Sequence, residues 1–389
     1  MSLPWTLECS GCGRTRGADG LPGVCEACAQ PYLVRYRATP SPDVKGLLRE
    51  RCGTMWRFRE WLPLAEGEEP VTLGEGGTPL LRIDRIATRY GFQELYVKEE
   101  GANPTGSFKA RGLAAAVTRA VGAGATRFVV PTAGNAGIAL AAYAARAGAS
   151  ARVYAPASTP PTILAQIRAF GADLVLVDGH IGDCGTAARA YALDSGAIDV
   201  STLREPYRIE GKKTLGLELA EQRNWTLPDA IVYPTGGGTG LIGMWKAFQE
   251  LRAAGWVGGG RNGRGALPRM YSVQSSGCAP VVKAFDERAD RCTPWPDPRT
   301  VAAGLRVPAP LGDRLMLRAL RESGGAAVAV SDAALAAGAR ELQTVEGIDA
   351  APEGGAALAA AVELKRRGSL RPSDHVVLFN TGAGWLYRG

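Results

Sequence analysis

A lysine set among small residues is the first feature of this chain equipped for chemistry. Lys109 stands in NPTGSFKARG (103–112), just ahead of the apolar run LAAAVTRAV. A helix N-terminus and burial both disfavour an ammonium, so an amine there loses its proton more readily than a solvated one. A neutral amine attacks carbonyl carbon. Alone, the segment reads rather as a surface lysine near a helix start. The second feature is PTGGGTG (234–240), between the runs AIVY and LIGMWKAF. Consecutive glycines let backbone N–H groups converge, and a following helix adds positive potential, which together suit a phosphate. No GK[ST] follows and the spacing is not GxGxxG, so a tight turn is the equal alternative. The third feature is a pair of polar turns, PTAGNA (131–136) and FNTG (379–382), which also suit helix caps or ordinary turns. A carbonyl-ready lysine, a phosphate cradle and polar ring contacts together describe a site for pyridoxal 5′-phosphate (PLP).

Four of the eight cysteines form a separate pattern. Cys9-x-x-Cys12 is followed, after twelve residues, by Cys25-x-x-Cys28. Two thiolate pairs on knuckle turns meet at the corners of a tetrahedron around Zn²⁺. The intervening RTRGADGLPGV has too few apolar residues to hold itself together, and a metal supplies the missing folding energy. Four thiolates leave no open coordination position, so the role expected is structural. Reduced thiols in a loop, or disulfides, are the alternative, and disulfides fit a cytoplasmic chain poorly. Cys52, Cys184, Cys278 and Cys292 lack such spacing and read as packed or surface thiols.

The elements that position these groups follow from hydrophobic runs. RFVVPT, ARVYAPA, DLVLVDG, AIVYPT, RMYSVQS, AVAVSD and HVVLFNTG alternate with Ala-rich helical stretches from about Thr72 onward. Nearly continuous apolar strands between helices imply parallel sheets covered on both faces. The fold class is α/β, and ligands in such folds bind beyond the carboxyl ends of strands. A polar stretch, Thr39–Asp43, reads as a linker, and Gly255–Leu267 and Cys292–Thr300 as loops, the former flexible. The net charge of +7 comes from scattered residues, mostly Arg, without a like-charge block, which argues against a nucleic-acid surface. Two histidines make a His-based metal site or triad a poor expectation. No apolar run approaches a membrane span, and the N-terminus does not read as a secretion signal. The expected setting is cytoplasmic.

At the level of motifs the chain resembles the threonine synthase family of fold-type-II PLP enzymes. The resemblance rests on the Cys-rich start, GEGGTPL (74–80), KEEGANPTGSFKARG (98–112), PTAGNAG (131–137), EPYRIEGKKT (205–214), YPTGGGTGLIGMWKAF (233–248) and FNTG (379–382). It implies that Lys109 carries the cofactor covalently and moves protons, with Phe108 against one face of the ring. It implies Asn135 at the cofactor's 3′ oxygen, Gly236, Gly237, Gly238 and Thr239 around its phosphate, and Thr381 facing the pyridine nitrogen. The implied substrate is O-phospho-L-homoserine. Its carboxylate is expected near Thr132, its other oxygens near Thr105 and Ser107, and its phosphate at Arg208 with Lys212 or Lys213. PYRIEGKK reads equally as a solvated helix start, and Arg111 as a structural ion-pair partner. The implied architecture is two-lobed, with parallel-rich twisted sheets and an N-terminal zinc-ribbon-like module (1–40). A larger PLP-binding lobe (41–110 and 205–389) and a smaller α/β lobe (111–204) complete it. A homodimer is expected, with a small amino-acid substrate and neither nucleic acid nor membrane as partner.

One departure keeps a second reading open. Family members often carry an acidic residue after the lysine, where this chain has Ala110. A neutral residue there is similar to threonine and serine ammonia-lyases and serine racemase, which need no phosphate pocket. The Cys-rich start and DVSTLREPYRIEGKK favour the synthase side.

Overall fold

The structure is a computed structural model that describes residues 4–257 and 267–388. Most of the expected Gly255–Leu267 loop, residues 258–266, therefore lies outside the described residues. The chain opens with β1 (Trp5–Cys9), β2 (Thr15–Arg16) and β3 (Tyr32–Tyr36), paired antiparallel in the order β2-β1-β3. The helix α1 (Val44–Leu48), strand β4 (Leu80–Arg82), helix α2 (Asp84–Tyr90) and strand β5 (Glu94–Glu99) follow. Then come α3 (Lys109–Gly122), β6 (Arg127–Pro131), α4 (Asn135–Arg146), β7 (Ser150–Pro156), α5 (Pro161–Ala169) and β8 (Asp173–Val177). The middle of the chain forms α6 (Ile181–Ser195), β9 (Ile198–Asp199), α7 (Tyr207–Gln222), β10 (Ala230–Pro234) and α8 (Thr239–Ala253). It closes with β11 (Arg269–Ser275), α9 (Pro280–Asp286), α10 (Asp313–Glu322), β12 (Ala326–Val330), α11 (Asp332–Glu346), α12 (Pro352–Arg366) and β13 (His375–Asn380).

Two compact units result. The first holds the residues up to Gly77 together with Asn103–Thr214. Its main sheet is parallel, in the order β8-β7-β6-β9. Small side chains let α3 and α4 pack closely, and α4 is buried from Asn135 through Ala144. Glu75 of the GEGG motif is fully buried here, accepting hydrogen bonds from Trp56 Nε1 (2.5 Å) and the Tyr143 hydroxyl (2.7 Å). That anchor ties residues ahead of Gly77 to α4.

The second unit comprises Thr78–Ala102 and Leu215–Arg388. Its sheet runs β12-β11-β10-β13-β5-β4, parallel except where β4 lies antiparallel on β5. Strands β10 and β13 are buried along their whole length, as continuous apolar runs require when both faces are covered. This division differs from the expected lobes. Residues 41–77 and 103–110 group with the smaller sheet, because Glu75 and α3 are anchored there, and the later boundary falls after Thr214, inside α7.

A fully buried ion pair fastens the edge of the larger sheet. Lys98 Nζ lies 2.5 Å from Glu218 Oε1 and donates to the Thr78 carbonyl, while Glu218 also accepts from the Thr78 N–H at 2.9 Å. Removing one partner strands the other charge in a low dielectric. Lys98→Met is expected to cost about 3–5 kcal/mol in urea unfolding, and adding Glu218→Leu to recover most of that loss. Among the described residues no helix is long and apolar enough to cross a membrane.

Candidate functional site

In the first unit, Lys109 is the first residue of α3, with Phe108 as N-cap. The Ser107 hydroxyl accepts the Lys109 N–H at 3.4 Å, and Ser107 itself is fully buried. Lys109 Nζ sits 4.3 Å from the Phe108 ring centroid, and Lys212 Nζ sits 4.0 Å from it. Phe108 is thus a cation-binding face for two amines, a contact the sequence did not predict. Asn135 begins α4 and is buried, and the Thr132 hydroxyl closes the preceding turn by accepting from the Gly134 N–H and donating to its carbonyl, both at 3.0 Å. The turn leaves the N-terminus of a twelve-residue helix directly after β6, a place suited to a carboxylate.

In the second unit, Gly236, Gly237, Gly238 and Thr239 lie between β10 and α8. Gly238 is the N-cap with φ +81°, a left-handed conformation that favours glycine. A Cβ on Gly236 would stand 2.1 Å from the Gly304 carbonyl oxygen, and one on Gly238 2.2 Å from Met316 Sδ. A side chain on Gly236 would run into backbone, so the donors this turn carries are its backbone N–H groups and the Thr239 hydroxyl. This donor set fits the phosphate of PLP. Thr381 lies just beyond β13, which pairs with β10, so both segments occupy the carboxyl ends of neighbouring strands. Asn380 pins that end by donating to both Glu99 carboxylate oxygens at 2.9 Å and accepting from the Ala351 N–H at 3.2 Å. Burial pushes the Glu99 carboxyl up to about 7, against the lowering effect of hydrogen bonds from Asn380 and the Gly101 N–H.

The segment EPYRIEGKKT is not a solvated helix start. Arg208, Lys212 and Lys213 are all under 2% exposed. Arg208 Nη1 donates to the Val200 carbonyl at 2.6 Å, while its Nε and Nη2 are buried without a hydrogen-bond partner. Lys213 is paired with Glu210 at 2.6 Å, and the Lys212 ammonium is engaged with the Phe108 carbonyl. Lys213 is thus neutralised by Glu210 and Lys212 is held at Phe108, while Arg208 keeps two donor nitrogens without a hydrogen-bond partner. Thr105 Oγ1 is likewise buried without a partner. Arg111 is fully buried and donates to Thr214 Oγ1 at 3.2 Å.

Sequence reasoning missed Glu205. It caps α7, accepting the Tyr207 N–H at 2.7 Å and the Arg208 N–H at 3.1 Å. Burial pushes its carboxyl up to about 7, although Arg208 opposes the shift. The available signal was an acidic residue just ahead of a proline at a helix start.

The four N-terminal sulfurs lie within 4.8 Å of one another, with Cys9 and Cys28 at 3.3 Å and Cys12 and Cys25 at 3.8 Å. A tetrahedron with metal–sulfur bonds of about 2.3 Å has edges near 3.8 Å, so the set fits zinc. The Gly11 and Cys12 N–H groups point at Cys9 Sγ from 3.4 and 3.5 Å, as a knuckle requires. For Cys25, burial is outweighed by hydrogen bonds from Ala27, Tyr32 and Cys28, and its thiol falls to about 6. For Cys28 the Gln30 N–H favours the thiolate, but the crowd of neighbouring sulfurs and burial push it up to about 12. Of the remaining cysteines, Cys184 and Cys278 are buried and Cys52 is exposed.

Residues 71–382 match the family model described as "Pyridoxal-phosphate dependent enzyme". Threonine synthase of Methanosarcina acetivorans is 34% identical over 377 residues, covering 97% of this chain and 91% of that protein. This chain belongs to the threonine synthase family of PLP-dependent enzymes. Threonine synthase of Methanocaldococcus jannaschii is 33% identical over 379 residues, and that of Mycobacterium tuberculosis strain H37Rv 33% over 333 residues, 85% of this chain and 88% of the relative. Solved structures agree on the fold. Maize serine racemase superposes with a TM-score of 0.69 at 19% identity, over 89% of this chain and 94% of its own. A fungal L-serine ammonia-lyase from Rhizomucor miehei gives 0.66 at 24% identity, over 82% and 99%. PLP is thus the cofactor of this member of the threonine synthase family, and the fold-type-II expectation holds.

Proposed function

We propose that this chain is a threonine synthase, taking O-phospho-L-homoserine and water to L-threonine and inorganic phosphate. The observation that carries the reading beyond family membership is Arg208. A guanidinium under 2% exposed with two unpartnered donor nitrogens is costly unless an anion completes its hydrogen bonds. An amino-acid substrate bearing a phosphate supplies that anion, and the guanidinium fork binds it bidentately. A hydroxyl leaving group, as an ammonia-lyase uses, supplies none.

The remaining roles follow from position. PLP, when bound, would supply the electron sink that makes the substrate's Cα and Cβ protons acidic; Lys109 would carry it covalently, and the glycine turn ahead of α8 would take its phosphate. Lys109 Nζ takes the proton from Cα and returns it at the end of turnover. Asn135 and Thr381 would orient the cofactor ring, through the 3′ oxygen and the nitrogen respectively. The N-terminus of α4 at Thr132–Asn135 holds the substrate carboxylate, and the unpartnered Thr105 hydroxyl, with Ser107 beside it, holds an oxygen of the leaving group. Purified protein incubated with PLP and O-phospho-L-homoserine is expected to release phosphate and threonine in equal amounts. Keto acid and ammonia from threonine or serine, without phosphate release, would instead mark an ammonia-lyase.

The Cys9, Cys12, Cys25 and Cys28 cluster is read as a structural zinc site, and a reducing cytoplasmic setting suits four thiols. The ribbon's small apolar cluster, Leu7, Cys9, Cys25, Tyr32 and Val34, leans on Tyr207 of α7, so metal is expected to supply much of its stability. Elemental analysis is expected to find about one zinc per chain, with a strong chelator lowering the thermal midpoint. Cys25→Ser should lose the metal, and wild-type protein without zinc at an unchanged midpoint would sink the assignment.

A further inference from the structure

Helices α3 and α7 cross where both carry glycine. A Cβ on Gly211 would stand 2.0 Å from the Arg111 carbonyl oxygen, and one on Gly112 2.9 Å from Lys212 Cε and 3.1 Å from the Arg208 carbonyl oxygen. The two backbones approach this closely only because neither residue has a side chain. The approach carries the stem of Lys212 across the first turn of α3, where its ammonium donates to the Phe108 carbonyl and lies over the Phe108 ring. Phe108 immediately precedes Lys109, and its ring also takes Lys109 Nζ.

The helix that supplies Lys212 is itself held. Tyr36 of β3 donates its hydroxyl to Glu210 Oε2 at 2.7 Å, and Lys213 pairs with the same carboxylate under the Tyr36 ring. On the neighbouring face, Thr214 Oγ1 donates to the Gly211 carbonyl at 2.6 Å and accepts from Arg111 Nη1 at 3.2 Å. Lys212 thus reaches Phe108 from a platform fixed at both ends of the EGKKT segment.

We propose that Lys212 is a positioning residue: its buried ammonium clamps the Phe108 carbonyl and ring, and so fixes the direction in which Lys109 leaves α3. This rests on Lys109 being the cofactor lysine and is independent of which substrate the enzyme takes. A cation on the phosphate would act on substrate affinity, whereas a clamp on Phe108 acts on the orientation of whatever Lys109 holds.

The test is Lys212→Met, which keeps the buried stem and removes the ammonium, compared with Lys212→Gln, which keeps a donor without charge. Each PLP-loaded protein is assayed by visible circular dichroism, which reports how rigidly the bound cofactor is oriented, and by steady-state kinetics. In Lys212→Met the visible signal per bound cofactor is expected to fall to about half or less, and kcat about tenfold or more, with KM for O-phospho-L-homoserine within about twofold. Lys212→Gln is expected to restore most of the signal. An unchanged signal in Lys212→Met, or a raised KM at unchanged kcat, would overturn the proposal. If Lys212→Met does not fold, Gly112→Ala takes its place. That change leaves Lys212 present but puts a methyl against its Cε, and an unchanged cofactor signal there overturns the proposal equally. The dichroism needs no substrate, so its outcome is separable from the threonine synthase reading. That reading fails instead when the parent protein shows a full cofactor signal and no phosphate release.

Discussion

Lys109→Ala protein is expected to stay colourless after incubation with PLP and to lose at least about 10⁴-fold in turnover of O-phospho-L-homoserine. Two functions disappear with one amine. The covalent anchor for the cofactor's aldehyde carbon is gone, and so is the base that moves the proton at Cα. The effect should be confined to chemistry. Lys109 is only half-buried, and its backbone N–H bond to Ser107 and its place at the head of α3 do not depend on the side chain. The thermal midpoint of the cofactor-free protein should therefore change little. A coloured Lys109→Ala protein with parental turnover would move the cofactor lysine elsewhere.

The second large effect concerns Arg208. Truncating one member of a buried, hydrogen-bonded charge contact costs about 2–5 kcal/mol, or roughly 30-fold to several-thousand-fold in kcat/KM. Because phosphate is bound before it leaves, most of the loss in Arg208→Ala should appear as a higher KM, with a smaller fall in kcat. Arg208 Nη1 also braces the Val200 carbonyl, so Arg208→Lys is the control. Lysine retains charge but not the fork, and should fall between parent and alanine. Inorganic phosphate should inhibit the parent competitively and Arg208→Ala hardly at all. Equal inhibition of both would remove Arg208 from the phosphate site.

Much of this molecule was legible in its sequence, and the exceptions have physical causes. Strands β6, β7, β10, β11, β12 and β13 were readable because parallel strands packed on their faces are largely apolar, and β8 because its DLVLV run is apolar even though it lies half-exposed at the sheet edge. Strand β4 was not, since an edge strand of three residues, mostly exposed, carries no such signal. Strand β5 was missed because its ELYVKE sequence buries Lys98 against Glu218 and so places charge where apolar side chains are expected. The glycine cradle and Lys109 stood out because rare local chemistry crowds into a few residues. The direction of Lys212 did not. It depends on Gly112 meeting Gly211 across about a hundred residues of chain, and nothing in NPTGSFKARG or EPYRIEGKKT reveals the meeting. The same holds for Arg208. Sequence named it as an anion ligand, but only folding shows that it is buried with two donors unused while Lys213 is neutralised by Glu210.

In the reaction proposed for this site, Cγ loses phosphate by carbon–oxygen cleavage and water then adds at Cβ. Turnover of O-phospho-L-homoserine in ¹⁸O-enriched water, with both products weighed by mass spectrometry, follows both events at once. One ¹⁸O is expected in the threonine hydroxyl and none in the phosphate at early times. Label in the phosphate, with homoserine rather than threonine as the other product, would mean phosphorus–oxygen cleavage and would contradict the proposed chemistry.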